Sequence, residues 1–329
     1  MKLLLITGAG ASRNLGVDDS QLPLMAHWAA SLCAALNNRE RGLASACNLD
    51  PDLNGPDFEQ ALGELLEWER VRHLEEKFED LGKEGPQIKP PVVKARDATR
   101  RRLKAFKGAL DETLYKQFSH AAVDDEKATI AYETLLSQLG DPSVVLATTN
   151  YDRSAESALL RMGRRVRNGF AGEPPRRQLF KPGNLVDGAG TDTPVLHLHG
   201  AVGWYERDGD VVLENAEDGH DPNRGTPVVL YPDPQKEPVA NAIVAELWRE
   251  FDLAVTETPN VLVLGHSLHD RMLVDRLQNL SPKQRLAVSA FSADEQKRVA
   301  KLLPDALVFK LDFKPGVGLG KAALKHLDL

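Results

Sequence analysis

Lys2-Leu3-Leu4-Leu5-Ile6-Thr7-Gly8-Ala9-Gly10-Ala11-Ser12 decides the fold. An unbroken apolar run that stops at a glycine reads as a strand covered on both faces, the kind found in parallel sheets. The glycines follow at once. At the end of such a strand they let the backbone approach a pyrophosphate closely, and the next N–H groups donate to its charge. An ordinary strand-to-helix turn has the same letters. The third glycine of the usual dinucleotide fingerprint is not in place, and Gly16 lies too far along.

Similar runs recur at Val144–Thr148, Val195–Leu198, Val228–Tyr231, Val261–Leu264, Leu286–Phe291 and Ala306–Lys310. Helical patterns separate several of them, at Asp152–Met162, Lys236–Glu257, His269–Asn279 and Ala293–Leu303. Strands alternating with helices predict an α/β fold: a Rossmann-like, mostly parallel sheet with helices on both faces.

Between the first two strands the pattern changes. Phe58, Leu62, Leu65, Trp68, Val71, Leu74, Phe78 and Leu81 recur every three or four residues, which is one face of a helix. A turn at Gly85–Pro91, a charged helix Lys94–Phe118 and a further helix Glu126–Leu139 follow. The expected organisation is a single domain over 1–329. Its core is drawn from 1–50 and 140–329, with a helical insertion at about 51–139. Lys94–Lys107 carries seven Lys/Arg and one Asp, read first as a solvated face and second as a docking patch for an acidic partner. Phe106 is the one aromatic there, so base stacking has little support. Gly172–Pro175, Pro182–Thr193 and Asp218–Pro227 read as loops.

Composition sets outer bounds. The chain has 329 residues, 42% hydrophobic and 27% charged, as in ordinary globular proteins. Its formal net charge of -7 argues against a general binder of nucleic acid or anionic membrane. Cys33 and Cys47 are the only thiols, too few for a disulfide framework or a four-cysteine zinc site, so no metal is expected. No apolar stretch reaches the roughly 18 residues of a membrane span, and Leu3–Ile6 is too short for a signal segment. A reducing, cytoplasmic setting is the expectation.

Three more strand ends carry chemistry-bearing residues. Thr148-Thr149-Asn150-Tyr151-Asp152 offers an amide that can hold a ribose hydroxyl or orient a water, and a carboxylate that can accept from a carboxamide. Asn150 or Asp152 would equally cap the following helix. His197-Leu198-His199-Gly200 places two histidines on one face by alternation, suited to proton transfer, while Gly200 admits a ligand or another backbone. Buried core histidines or a metal pair are the competing readings, and no further ligands for a metal are evident. Gly265-His266-Ser267-Leu268 closes another strand, with Gly265 and Ser267 placed to receive a ribose or phosphate, or Ser267 to cap a helix. Together these clusters fall at the carboxyl ends of four inferred strands, where ligands bind in such folds.

The ordered set resembles the sirtuin superfamily. Gly8-Ala9-Gly10-Ala11-Ser12 is similar to its glycine motif, and Thr148-Thr149-Asn150-Tyr151-Asp152 to its Thr-Gln-Asn-Ile-Asp. His199-Gly200 is similar to its catalytic His-Gly, and Gly265-His266-Ser267-Leu268 to its late Gly-Thr-Ser-Leu. Pro56-Asp57-Phe58-Glu59 and the Leu-His-Gly before Trp204 resemble the bacterial SIR2-like branch, whose members consume NAD in anti-phage defence. The four-cysteine zinc module of the deacetylases has no counterpart here, and Gln21-Leu22-Pro23-Leu24 only faintly resembles their Gly-Ile-Pro-Asp-Phe-Arg segment.

The resemblance implies that Asn150 and His199 carry catalysis. Gly8, Ala9, Gly10, Ala11, Ser12, Thr149, Asp152, Gly265 and Ser267 would hold NAD, which is substrate rather than resident cofactor. The implied reaction splits the nicotinamide–ribose bond to nicotinamide and ADP-ribose. Alternatives are NAD-dependent deacylation or ADP-ribosyl transfer, and a nucleotide-sensing subunit without turnover. A Rossmann dehydrogenase ranks below these, since it needs an acidic residue at the second strand end and a substrate domain. The expected partners are further copies of the chain or a separate regulatory protein, with no direct nucleic-acid or membrane contact.

Overall fold

The computed structural model describes all residues except 1, 20, 23–24, 37–40, 43, 46–47, 50–51, 54–56, 68–89, 172–177, 187–191, 215–223, 232–240 and 329. Several sequence expectations fall on these positions: Cys47, the helical face from Trp68 to Leu81, most of the Gly85–Pro91 turn and the loop Gly172–Pro175. Parts of the loops Pro182–Thr193 and Asp218–Pro227, the start of Lys236–Glu257, and Pro23, Leu24 and Pro56 of the resemblance also lie outside the described residues.

Among the described residues, twelve strands form two sheets. They are β1 (Lys2–Thr7), β2 (Ser143–Thr148), β3 (Val166–Arg167), β4 (Phe170–Ala171), β5 (Gln178–Phe180), β6 (Thr193–His197), β7 (Gly200–Arg207), β8 (Asp210–Leu213), β9 (Thr226–Val229), β10 (Asn260–Leu264), β11 (Arg285–Ala290) and β12 (Leu307–Lys310). The large sheet is seven-stranded in the order β12-β11-β10-β1-β2-β6-β3, and all its pairings are parallel. The expected α/β, Rossmann-like parallel sheet is therefore present.

β1 is central because it is apolar all round. Leu3 and Leu5 join one core with Tyr132 and Leu135 of helix Asp125–Gln138 and Ala155 and Leu159 of helix Ser154–Arg161. Leu4 and Ile6 join the opposite core with Leu247, Trp248 and Phe251 of helix Ala242–Glu257 and with Leu273 of helix Arg271–Gln278. The period of two along a strand thus feeds two layers of helices. All four side chains are 0% exposed, and each such burial contributes roughly 1.5–3 kcal/mol before the entropy of ordering is subtracted.

The chain runs from β1 to one side through β2, and later crosses back to pair β10 on the other side of β1. That reversal is a switch point, the place where open parallel sheets bind ligands beyond the strands' carboxyl ends.

A second sheet, β4-β5-β8-β7-β9, is antiparallel. The run Val228–Tyr231, read among the strands of a mostly parallel sheet, is corrected here: Val228 and Val229 belong to β9, which pairs β7 antiparallel, and Leu230 and Tyr231 lie beyond the strand. β7 and β8 form a hairpin across Asp208 (φ 55) and Gly209 (φ 83), the backbone of a type I′ turn. An Asp-Gly between apolar runs signals such a hairpin.

The chain divides into two compact units. One comprises Met1–Leu22, Tyr115–Tyr231 and Glu237–Leu329 and holds both sheets. The other comprises Pro23–Leu114 and Pro232–Lys236. Its described elements are helical: Met25–Ala35, residues 57–67 and the greater part of Pro90–Phe118. Trp28 meets Phe58 edge-on with ring centroids 5.7 Å apart, and Leu32, Leu62, Leu65, Leu103, Phe106 and Leu110 are buried. Pro90 and Pro91 open the long helix, where a missing N–H costs nothing. Among the described residues no helix is long and apolar enough to cross a membrane.

Candidate functional site

The carboxyl ends of β1, β2, β6 and β10 supply the residues. β1 and β2 run in register to Thr7 and Thr148, and Thr149 N–H then donates to Thr7 O at 3.1 Å, so the pairing continues one residue past the sheet. Leu198 N–H donates to Thr148 O at 2.8 Å and Val202 N–H to Tyr151 O at 3.0 Å. These bonds hold the segment after β6 against the segment after β2.

Asn150 is buried in this junction, and a chain of donors fixes which way its amide faces. Asp152, also buried, is a carboxylate and only accepts. Ser12 Oγ therefore donates to Asp152 Oδ1 at 3.2 Å, and Ser154 N–H donates to the same oxygen at 3.0 Å. With its proton committed, Ser12 Oγ accepts from Asn150 Nδ2 at 2.7 Å. Asn150 Oδ1 is thereby turned away from Ser12. It is buried and meets no hydrogen-bond partner. A buried acceptor left unmatched costs on the order of 1–3 kcal/mol, so this oxygen awaits a donor.

Asp152 serves two purposes here. It orients Ser12, and it accepts from Ser154 N–H, the first amide of helix Ser154–Arg161; the N-cap position itself is Arg153, so the cap that the sequence offered as an alternative at Asn150 or Asp152 does not form. Beneath it, burial and then the charge of Asp152 raise the Tyr132 hydroxyl above its ordinary pKa, against a weaker lowering from Thr7.

The glycine turn packs loop against loop. Gly8 N–H donates to Leu264 O (3.0 Å), Gly10 N–H to Gly265 O (2.8 Å) and Ala11 N–H to Gly8 O (2.8 Å). A Cβ on Gly8 would lie 2.7 Å from His266 Cα, and one on Gly10 2.3 Å from the Phe291 ring. Gly265 has φ +59, and its Cβ would sit 2.1 Å from Ala11 N. The glycines let the turns after β1 and β10 touch at the switch point. Helix Ala9–Ser12 is only four residues long, and Ala9 is its exposed member.

His197 and His199 meet different carboxylates. His197, fully buried at the end of β6, lies 3.4 Å from Glu156 Oε2, and its ring meets Trp204 edge-on. Glu156 also takes Arg153 and accepts from Asn168 Nδ2 at 2.8 Å. Burial alone raises the Glu156 carboxyl. The Arg153 guanidinium, helped by His197, outweighs burial and holds it well below the usual carboxylate range. His199 instead places Nε2 2.9 Å from Asp270 Oδ2. Gly200 (φ +71) turns the chain into β7, and a Cβ there would meet Val228 O at 1.9 Å, so its close neighbour is another backbone.

Asp270 is the residue that sequence reading missed. It caps helix Arg271–Gln278 by accepting from Leu273 N–H at 3.3 Å while its other oxygen meets His199. The alternative reading of Ser267 as the helix cap does not hold, since Asp270 is the cap; Ser267 is exposed, and Arg298 reaches its carbonyl. An Asp just ahead of an apolar helical pattern was the available signal. Its second partner comes from a distant strand and leaves no local trace. The turn between them is tight: Leu268, buried, has φ 53, and its N–H donates to His266 Nδ1 at 2.9 Å. Among the described residues no three His, Cys, Asp or Glu side chains group to hold a metal ion.

Comparison with known families places this geometry. Residues 144–305 match the family model of the SIR2-like domain. The matched stretch contains Asn150, Asp152, His199, Gly265, Ser267 and Asp270, and begins after the glycine turn. Solved structures similar to the chain include a SIR2 homologue in complex with NAD, at 12% identity and a TM-score of 0.41, covering 99% of this chain and 88% of the other. A mutant Sir2 homologue in complex with 2'-O-acetyl ADP ribose is 16% identical with a TM-score of 0.38, covering 99% and 92%. Cytosolic 5'-nucleotidase IIIB bound to cytidine is 11% identical with a TM-score of 0.32, covering 99% and 85%. A search of curated proteins gives no match. The matched stretch thus contains both the Asn150 amide and the His199–Asp270 pair.

Proposed function

We propose that the protein is an NAD hydrolase that splits the nicotinamide–ribose bond, with Asn150 and His199 as its catalytic residues. The observation that carries this reading is the Asn150 Oδ1 atom: buried, unmatched and held in place through Ser12 and Asp152. A ribose hydroxyl or a positioned water is the donor such an oxygen fits. The SIR2-like domain around it supports NAD as the molecule that supplies the ribose.

In the reaction the bond between C1′ and the nicotinamide nitrogen breaks, and its electron pair leaves with nicotinamide. Water oxygen bonds to C1′, giving ADP-ribose, and one proton is released. Asn150 positions the ribose or the water. His199 takes the proton, a role that contributes about 10²–10⁴-fold in rate. Gly8, Ala9, Gly10, Ala11, Thr149, Gly265 and Ser267 shape the crevice at the switch point. Because the Gly8, Gly10 and Ala11 amides already have acceptors, the loops contribute shape there rather than those donors.

Unrestrained NAD hydrolysis would drain the cell that makes the enzyme, so the proposal includes control by a partner, a ligand or further copies of the chain. Its natural use is NAD depletion in anti-phage defence. Exposed Arg101, Arg102 and Lys104 on helix Pro90–Phe118 offer a basic face to an acidic surface, on a chain of net charge -7. Lys94 and Arg96, from the same charge run, have side chains outside the described residues.

The test is nicotinamide release from free NAD, with and without an acyl-lysine peptide. Release without peptide supports hydrolysis. Release only with peptide makes the protein a deacylase, and binding without release makes it a sensor.

A further inference from the structure

We propose that Asp270 is the positioning residue for His199, fixing the imidazole tautomer so that Nδ1 is the atom that takes the proton. This rests on the hydrolase reading above. Asp270 Oδ2 lies 2.9 Å from His199 Nε2, and both side chains are almost wholly buried, at 4% and 6% exposure. A carboxylate oxygen only accepts, so Nε2 carries the hydrogen of this bond, and in the neutral ring Nδ1 is then the basic nitrogen. The same carboxylate favours the imidazolium that forms when Nδ1 takes its proton.

The fold holds this carboxylate rigidly. Oδ1 accepts from Leu273 N–H at the start of helix Arg271–Gln278, leaving Oδ2 aimed at the histidine. The helix is anchored in turn by buried Leu273 and Leu277. The chain reaches Asp270 from β10 through Gly265 and Leu268, both with positive φ, at 59° and 53°. Backbone held in that region by a non-glycine residue is strained, and here it spans the few residues between strand and carboxylate. On the histidine side, Leu230 N–H donates to His199 O at 2.8 Å and fixes its backbone.

The neighbouring pair makes a contrast. His197 and Glu156 are further apart, at 3.4 Å, and Glu156 is committed to Arg153 and Asn168.

Asp270→Asn separates positioning from structure. Asparagine caps helices as well as aspartate does, so the helix start is kept. Its NH₂ would donate to Nε2 and drive the proton to Nδ1, the wrong tautomer. The full chain and the variant are compared by imidazole ¹⁵N NMR and by NAD turnover. The wild-type His199 is expected with Nε2 protonated and Nδ1 free of its proton, and the variant with the reverse. kcat is expected to fall by about 10²–10⁴-fold with KM for NAD within about threefold. Asp270→Ser, which also caps, should lose kcat similarly. A kcat within about threefold of wild type in Asp270→Asn, or an unchanged tautomer, overturns the proposal. Should the wild type release no nicotinamide at all, the hydrolase reading fails, and the ¹⁵N spectra still decide whether Asp270 sets the tautomer.

Discussion

Asn150 Nδ2 donates to Ser12 Oγ at 2.7 Å, joining the end of β2 to the turn after β1. Ser12 sets the direction of this bond, because its own proton goes to Asp152. Three polar residues from two separate segments thereby fix one oxygen, Asn150 Oδ1, with its lone pairs unmatched. Preorganised polar atoms of this kind need little rearrangement when a ligand arrives.

Asn150→Ala and His199→Ala are each expected to reduce nicotinamide release from NAD by about 10²-fold or more, through loss of positioning and of the base. Both side chains lie at strand ends, outside the two apolar cores. Asn150→Ala should melt within a few degrees of wild type, whereas His199→Ala, which removes the imidazole from the buried Asp270 carboxylate, should melt lower while remaining folded. Calorimetry alongside turnover checks both halves, and near wild-type turnover in either variant would remove that residue from the mechanism.

Ser12→Ala leaves the Asn150 NH₂ and Asp152 Oδ1 short of a partner. The expected cost is about 1–3 kcal/mol of stability. Turnover should fall as well, because the amide loses its orientation. Urea unfolding combined with steady-state kinetics measures the two effects. Stability falling without any change in kcat would show that the orientation of Asn150 does not matter.

Gly265→Ala should damage the fold. The residue has φ +59, and its Cβ would overlap Ala11 N. Positive φ and a backbone clash together predict a loss of at least about 2 kcal/mol and weakened NAD binding. The Cβ of Gly140 would meet nothing within 4 Å although its φ is +70, so Gly140→Ala is the control with strain and no overlap. Thermal melts of the two variants should differ clearly, and equal losses would contradict the close packing of the turns after β1 and β10.

Much of this architecture is legible in the sequence, and the exceptions have physical causes. Leu3–Ile6 and Val261–Leu264 announce buried parallel strands because neither face of them alternates. Val228 and Val229 read the same way yet lie in the antiparallel sheet, since apolar content does not encode strand direction. Asn150 could be read as a helix cap or as a ligand group. Only the tertiary position of Ser12 decides that its NH₂ is held and its oxygen left over. Asp270 is legible as a cap, and its bond to His199 is not, because 71 residues separate the two.

The buried Glu156 cluster predicts a pH dependence of stability. Its carboxyl lies well below its ordinary value in the folded protein. An unfolded Glu titrates near about 4.3. The cluster therefore contributes its full stability above that pH, and the contribution is lost as pH falls through the region below it. Glu156→Gln strands Arg153 without its buried partner, and the expected loss is about 3–5 kcal/mol at neutral pH. The stability of the variant should also change less than that of wild type between about pH 5 and pH 3. Chemical unfolding across that range decides it. Parallel pH curves for the two proteins would show that Glu156 is not the group responsible.

The most direct test of the central claim is NAD turnover by the purified full chain in H₂¹⁸O. Products are followed by mass spectrometry, with Asn150→Ala as control. The account predicts equal amounts of nicotinamide and ADP-ribose, one ¹⁸O in the ADP-ribose, and neither product above background in the control. Intact NAD with the wild-type chain, or equal turnover by the control, would contradict it.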